Sequence, residues 1–235
     1  MSHDLAGGSL PPPFRQLRAV GAPFPEQPQL WALSVSAYPL RPVDDGILDP
    51  AERQRAARFV RPADRDRYRV AHVGLRRLLG AYLAAAPERI ELTREPCPGC
   101  GRGHGRPAVA GAPLHFSLSH AGDLVVFAVA DAPVGVDVEE VPSPEALSGL
   151  TGALHPVESA ELDALPADAR PGAFARCWTR KEAFLKGTGL GLGGEPAGVC
   201  VGAGPEPLAP AGWHLTDVAV AEGYAAACAV RHPDS

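Results

Sequence analysis

The chain has 235 residues, of which 46% are hydrophobic and 21% are charged, and its formal net charge is −5 at pH 7. This composition is ordinary for a globular protein of one large or two small domains. No run of about 20 apolar residues could span a bilayer, the first residues lack a signal-peptide pattern, and the negative charge argues against nucleic acid as the main partner. We therefore expect a cytoplasmic protein that binds neither membrane nor nucleic acid.

The chain opens with a segment, residues 1–28, that is rich in proline and glycine, which predicts disorder. A strand is predicted over residues 30–38. An arginine-rich helical region follows between Arg53 and Arg77, and it supplies the local positive charge that an acidic partner requires. Apolar residues recur there at helical spacing, at Val70, Val73, Leu75, Leu78, Leu79 and Leu83.

A short strand near residues 90–93 precedes a loop with Cys97, Cys100 and His104. This is the spacing of half a zinc knuckle, but the sequence offers no evident fourth ligand. A plain loop rich in glycine and proline is the preferred interpretation, and a zinc site is the alternative. The odd number of cysteines, five, argues against a full disulfide framework.

Residues 115–129 are typical of a β-hairpin with its turn at residues 121–123. Ser119 and His120 lie at the end of its first strand, where a hydroxyl and an imidazole can meet a phosphate. Upstream, Arg106 lies on a loop made rigid by Pro107. A serine–histidine pair at a turn is more often structural, so the hairpin alone indicates no function.

Residues 134–141 alternate valines with Gly135, Asp137 and Glu139, which is the period of a half-buried strand. Asp137 and Glu139 therefore project from one face, where two carboxylates repel each other unless solvent or a cation compensates. An edge strand with a solvated acidic face is the alternative to a cation site.

A helix beginning near residue 171 and ending at Gly187 is predicted to carry both lysines of the chain, Lys181 and Lys186. Trp178, Glu182 and Lys186 are spaced four apart and share one face of it. The glutamate and lysine on that face form either an ordinary surface pair, worth about 0.3–0.5 kcal/mol, or part of a site. Only a second motif elsewhere in the chain can decide between a surface pair and a site.

The acidic strand is a suitable partner for this helix. Asp137, Glu139 and Glu182 could supply part of an oxygen cage for Mg²⁺, which prefers carboxylates, phosphate oxygens and retained waters. Lys186 would then lie beside the phosphate as a point charge.

The second half of the chain repeats the element order of the first: strand, helices over about 156–186, a strand at 197–201 and a hairpin around 221–223. We therefore expect an α+β fold of two similar halves, arranged as a pseudo-twofold dimer within one chain. The predicted divisions are a disordered segment 1–28, an N-terminal half 29–132, and a C-terminal half 133–235 with the metal-binding motifs.

Three motifs in this order resemble the 4′-phosphopantetheinyl transferases of the surfactin (Sfp) type: FSLSH at 116–120, GVDVE at 135–139 and WTRKEAFLK at 178–186. The resemblance runs from about Trp31 to about Val230 and is strong only at these motifs. It implies transfer of 4′-phosphopantetheine from coenzyme A to a serine of an apo acyl or peptidyl carrier protein, with Mg²⁺ and release of 3′,5′-ADP. It also implies ligand binding in the cleft between the two halves.

The resemblance implies residue roles as well. The metal ligands would be Asp137, Glu139 and Glu182, and the catalytic residues would be Glu182, Lys186 and Asp137. Glu182 is the preferred base over Glu158, and Lys186 and the metal should keep it ionised. The contacts to coenzyme A would be Lys186, His120, Ser119, Arg106, Arg53 and Arg55. Ala121 stands where the family often has a hydroxyl, and the register of the early arginines is not fixed.

Two other functions fit the same residues. A different Mg²⁺-dependent phosphoryl-transfer or phosphodiester-hydrolysing enzyme would turn over without a carrier protein, and a non-catalytic carrier-binding module would not need Glu182. The sequence does not distinguish Mg²⁺ from Mn²⁺, or carriers for fatty acids, polyketides and nonribosomal peptides. We expect a monomer.

Overall fold

The computed structural model describes residues 14–20, 28–147, 151–190 and 195–232. The strands in these ranges are β1 (Arg15–Gln16), β2 (Gln29–Ser34), β3 (Leu92–Arg94), β4 (Pro107–Val109), β5 (His115–Ala121), β6 (Leu124–Ala130), β7 (Val134–Glu140), β8 (Trp213–Asp217) and β9 (Tyr224–Arg231). The α-helices are α1 (Pro50–Ala57), α2 (Pro62–Leu83), α3 (Pro144–Leu147), α4 (Pro156–Asp163) and α5 (Arg170–Thr188).

The strands form two antiparallel sheets and one ribbon. The first sheet has the order β1-β2-β6-β5, the second has the order β7-β9-β8, and β3 pairs with β4. The mixed helix-and-sheet class expected from the sequence is confirmed. The arrangement as two pseudo-twofold halves and the three chain divisions remain predictions.

Alternation along β6 explains how the first sheet is covered on both faces. Val125, Phe127 and Val129 pack in one core with the apolar face of α2. Val126 and Ala128, on the opposite face, pack in a second core with the inner face of the second sheet. The two sheets are therefore stacked, with α2 on the outside of the first.

The second sheet is covered by α5 in the same way. On β9, Cys228 faces the first sheet, whereas Ala227 and Ala229 share a core with α5. On β7 the valines face the first sheet, so the intervening residues turn toward α5. The residues that face the helix are Gly135, Asp137 and Glu139.

Most predicted elements are present, with shifted ends. The hairpin of β5 and β6 is confirmed, and its turn contains Gly122 at a φ of 51°. The helix predicted to end at Gly187 continues to Thr188 and ends at Gly189, whose φ of 79° is a left-handed C-cap.

Two expectations do not hold. The predicted strand at 197–201 is wrong: Pro196–Gly198 form a 3-10 turn, and the Val201 amide donates to Glu158 Oε1 instead of to a strand. Residues 14–20 depart from the predicted disorder of segment 1–28, because β1 there pairs with β2. The other residues of that segment up to 27 lie outside the described ranges.

Among the described residues, no helix has both the length and the apolar character needed to cross a membrane.

Candidate active site

Gly135 sets the distance between β7 and α5. A Cβ added there would lie 1.9 Å from Ala183 O and 2.4 Å from Gly187 N, so only glycine permits this backbone approach. Because of this close packing, the carboxylates that follow on β7 lie against the helix face that carries Glu182 and Lys186. The strand and helix motifs are thereby brought together in space.

Lys186 connects the helix to the strand and to the hairpin. Its Nζ donates to Asp137 Oδ1 at 2.5 Å and to Ser119 Oγ at 2.9 Å. Ser119 Oγ in turn donates to Asp137 Oδ1 at 2.7 Å. Asp137 is only 2% exposed, which excludes the alternative of a solvated acidic edge. The three predicted motifs therefore meet at these three side chains.

The acidic side of the site is not electrically balanced. Asp137 Oδ2 is buried and has no hydrogen-bond partner among the described residues. Burial and then repulsion by Asp137 raise the pKa of Glu139 to about 7, against the opposing effect of Lys186. Burial and Asp137 also raise the pKa of Glu182. One lysine is therefore too little positive charge for three carboxylates.

The expectation that Lys186 and the metal together keep Glu182 ionised stays a prediction, because Lys186 without the metal does not hold the pKa of this carboxyl down. In the metal-free protein, burial and Asp137 outweigh the attraction of the lysine. A further cation beside the carboxylates would lower these pKa values, because it stabilises the charged forms.

A cleft of about 750 Å³ lies on one side of Lys186. Its walls carry the cationic side chains of Arg55, Arg94, Arg106 and Lys186 and the carboxylates of Asp49 and Glu52, so the charged groups of its lining are net positive. Arg94 was not singled out from the sequence, although it lies on the strand before the cysteine loop. Such a charge distribution suits an anionic ligand with several phosphates.

A second cavity, of about 400 Å³, lies on the other side of the cluster. Glu139 and Glu140 line it together with the apolar side chains of Phe174 and Trp178, whose rings are stacked with centroids 6.2 Å apart. The acidic cluster therefore stands between a basic cleft and a partly apolar cavity.

The remaining predicted phosphate contacts differ in their surroundings. Arg106 Nη1 donates to Gly187 O at 2.7 Å, and its other nitrogens donate to Glu95 Oε2, so Arg106 ties β4 to the end of α5 while lining the cleft. His120 keeps part of its surface exposed. Loss of water around its imidazole lowers its pKa most, and the positive charges of Arg67 and Lys186 lower it further.

Arg53 and Arg55, the two early arginines, have different surroundings. Arg55 lines the cleft, but Arg53 is not among the residues that line it. The Arg53 guanidinium donates to the backbone carbonyls of Asp45 and Leu48, which form the turn before α1. The helical period explains the difference, because residues two apart on a helix point in different directions.

Glu158 lies away from the acidic cluster. It is fully buried, its Oε2 lies 2.6 Å from Lys181 Nζ, and it accepts from the amides of His155 and Val201. This burial and this pairing with Lys181 argue against Glu158 as the base. Lys181 is equally occupied, since it also donates to the carbonyls of Pro196 and Val199.

Sequence reasoning missed two positioning residues of the site. Glu95 holds the Arg106 guanidinium and gave no signal, because the pairing of the two short strands that brings these residues together was not predicted. Gly135 was seen only as part of an alternating strand, although a glycine within a strand is itself a sign of close backbone approach.

Comparison with known proteins agrees with these motifs. Residues 133–205 match the model of the 4′-phosphopantetheinyl transferase superfamily. The chain is 33% identical over 172 residues to 4′-phosphopantetheinyl transferase psf-1 of Bacillus pumilus, covering 68% of this chain and 70% of that protein. It is 31% identical to 4′-phosphopantetheinyl transferase HetI of Nostoc, covering 72% and 75% respectively.

The Sfp enzyme of Bacillus subtilis strain 168 is 26% identical over 147 residues, or 62% of each chain. The matched superfamily region contains β7, α4 and α5, and thus the acidic cluster and Lys186. The identity and coverage of the first two relatives establish the family, and the chain belongs to the 4′-phosphopantetheinyl transferases, which are enzymes.

Proposed function

We propose that this enzyme transfers 4′-phosphopantetheine from coenzyme A to a serine of an apo acyl or peptidyl carrier protein, with Mg²⁺ and release of 3′,5′-ADP. The observation that carries the proposal is the convergence of Asp137, Glu139 and Glu182 beside Lys186, between a basic cleft and a second cavity. Membership of the family supports the same reaction.

The donor set fits Mg²⁺. The Asp137 Oδ2 atom is buried without a partner, and its neighbours are oxygen donors with raised pKa values. Among the described residues the three carboxylates do not all lie within 4.8 Å of one another, so their side chains would have to close around a shared Mg²⁺, whose remaining positions waters and phosphate oxygens would fill. Asp137, Glu139 and Glu182 would hold the ion, and when bound it would polarise the pyrophosphate and offset the charge on the leaving group.

The basic cleft is the proposed site for coenzyme A. Arg55, Arg94 and Arg106 line it, and Lys186 reaches from its wall into the acidic cluster. Lys186 would neutralise a phosphate oxygen as a point charge. Ser119 and His120 directly follow the cleft-lining Ser117 and Leu118 on β5, and the hydrogen bonds of Ser119 to Asp137 and Lys186 support a positioning role for it.

Glu182 is the proposed general base. The carrier serine Oγ attacks the phosphorus that bears pantetheine, a serine O–P bond forms, and the P–O bond to 3′,5′-ADP breaks. The serine proton passes to Glu182, directly or through a water, and the electron pair of the broken bond leaves with 3′,5′-ADP. Glu182 is carried on the long helix α5, one turn before Lys186, which would place its carboxylate beside the phosphate and the attacking serine.

The carrier protein is proposed to approach from the side of the second cavity. Phe174 and Trp178 give that cavity an apolar wall beside Glu139, where the pantetheine arm of coenzyme A and the carrier serine would be received. We also propose the surfactin subtype, and that the two stacked sheets with their outer helices are the two related halves expected from the sequence.

The proposal is tested by incubating the enzyme with coenzyme A, Mg²⁺ and an apo carrier protein and measuring the intact mass of the carrier. We expect the phosphopantetheine mass increment and an equal amount of 3′,5′-ADP. Turnover of coenzyme A without a carrier would favour a hydrolytic enzyme. Carrier binding with no increment would favour a non-catalytic module.

A further inference from the structure

The β3–β4 ribbon ends in a loop that gathers three metal-ligand side chains away from the acidic cluster. The ligand atoms of Cys97, Cys100 and His104 all lie within 4.8 Å of one another, and Cys100 Sγ lies 3.0 Å from His104 Nε2. Both cysteines are free thiols. The spacing noted in the sequence therefore becomes an actual convergence in space.

The backbone of this loop is folded tightly around the two thiols. The amides of Cys100 and Gly101 both donate to Cys97 O, at 3.3 and 2.8 Å, and the Cys97 amide donates to Arg102 O at 2.7 Å. Gly101 follows the second cysteine with a φ of 73°, which closes the turn. The turn thus returns the chain so that Cys100 and His104 face Cys97.

Apolar packing does not account for this arrangement. Cys97 is buried, but Cys100 and His104 are exposed, so no core holds the three together. Backbone hydrogen bonds shape the turn, but a plain loop does not require two thiols and an imidazole at its facing positions, whereas a shared ion does.

We propose that Cys97, Cys100 and His104 bind a zinc ion. Two thiolates and an imidazole are ligands that zinc prefers and that Mg²⁺ does not, so this site is chemically distinct from the carboxylate cluster. The exposure of Cys100 and His104 leaves the fourth position to water. No role in the chemistry of transfer is assigned to the ion.

The place of the loop indicates what the ion does. A Cβ added at Gly189, the C-cap of α5, would lie 3.0 Å from Arg106 Cγ and 3.6 Å from Pro98 Cδ, so the loop packs on the end of the helix that carries Lys186. His104 and Arg106 both line the basic cleft. The ion would fix the tip of the ribbon against the cleft wall and so position Arg106, a role that rests on the proposed function.

The first experiment measures zinc in the protein purified without chelator from medium containing zinc. We expect a single zinc per chain, lost in Cys97→Ser, Cys100→Ser and His104→Ala. Cys200→Ser is the matched control, because Cys200 is a free thiol outside the cluster, and it should keep its zinc. Cobalt should replace the ion and give a thiolate charge-transfer band that Cys100→Ser lacks.

The site is overturned if the wild-type protein holds no zinc, or if Cys100→Ser retains as much as Cys200→Ser with both correctly folded by circular dichroism. A Cys97–Cys100 disulfide in place of metal also overturns it. These readouts do not depend on transferase activity. The positioning role is tested separately by coenzyme A affinity: we expect about a tenfold loss in Cys100→Ser, the effect of roughly 1.4 kcal/mol, and an unchanged affinity overturns that role.

Discussion

Lys186 and Asp137 are 49 positions apart in the chain, yet the Nζ of one lies 2.5 Å from Oδ1 of the other. This contact joins the helix motif to the strand motif, and Ser119 adds the hairpin motif. Lys186 and Ser119 donate to one carboxylate oxygen of Asp137, Oδ1. The other oxygen, Oδ2, is buried without a hydrogen-bond partner among the described residues. The lysine therefore supports the acidic cluster without completing it.

Replacing Lys186 should affect both binding and turnover. We expect Lys186→Ala to lower kcat/KM by about 10²–10³-fold, because a charge that stabilises the transferring phosphate is lost. Lys186→Arg should recover only part of the rate, since the planar guanidinium does not fit beside Asp137 and Ser119 as an ammonium does. Steady-state kinetics of the two variants check this, and full activity of Lys186→Ala would remove the lysine from the site.

Glu182 and Glu158, the two candidates for the general base, should respond differently to substitution by glutamine. Glu182→Gln should lower kcat by about 10²–10⁴-fold, the usual contribution of a general base, with little change in coenzyme A affinity. Glu158→Gln removes the counter-charge of buried Lys181 and should lower the free energy of unfolding by about 3–5 kcal/mol.

Denaturant unfolding and kinetics on the folded fraction separate these effects. If Glu158→Gln is as stable as the wild type but slow in turnover, Glu158 takes part in the reaction and the assignment of Glu182 is incorrect.

The spacing of β7 and α5 should tolerate no side chain at Gly135. Gly135→Ala forces a Cβ against Ala183 O, and we expect a loss of about 1–3 kcal/mol in the free energy of unfolding together with reduced transfer. Gly46→Ala is the matched control, because a Cβ there has no atom within 4 Å and Gly46 lines neither cavity. Equal stability of the two variants would contradict the close approach.

The raised pKa of Glu139 predicts how stability depends on pH in the metal-free protein. The folded state keeps this proton up to about pH 7, whereas the unfolded chain releases it near its ordinary value of about 4.3. Between these values the folded state binds more protons, so its stability falls as pH rises.

Glu139→Gln removes this contribution. With a chelator present, the Tm of the wild type should fall more steeply than that of Glu139→Gln between about pH 4.5 and pH 7. Parallel curves for the two proteins would show that the pKa of Glu139 is not raised in the folded state.

The sequence predicts local elements and the residues of the site better than their connections. The valine alternation of β7 and the spacing of Glu182 and Lys186 fix which side chains share a face, because the strand and helix periods are regular. They do not show that Glu158 is sequestered by Lys181, or that Glu95 holds Arg106, since those pairs depend on how separate elements pack against one another. The strand predicted at 197–201 failed for the same reason: its Val201 amide bonds a helix side chain.

The Mg²⁺ dependence of transfer tests the central claim most directly. The rate of the phosphopantetheine mass increment on an apo carrier should be measured across Mg²⁺ concentrations for the wild type and for Asp137→Asn, with folding checked by circular dichroism. We expect the variant to need at least about tenfold more Mg²⁺, because Asp137 supplies the carboxylate whose free oxygen is buried in the site. The same Mg²⁺ midpoint and rate in both proteins would contradict the assignment of this cluster as the metal site.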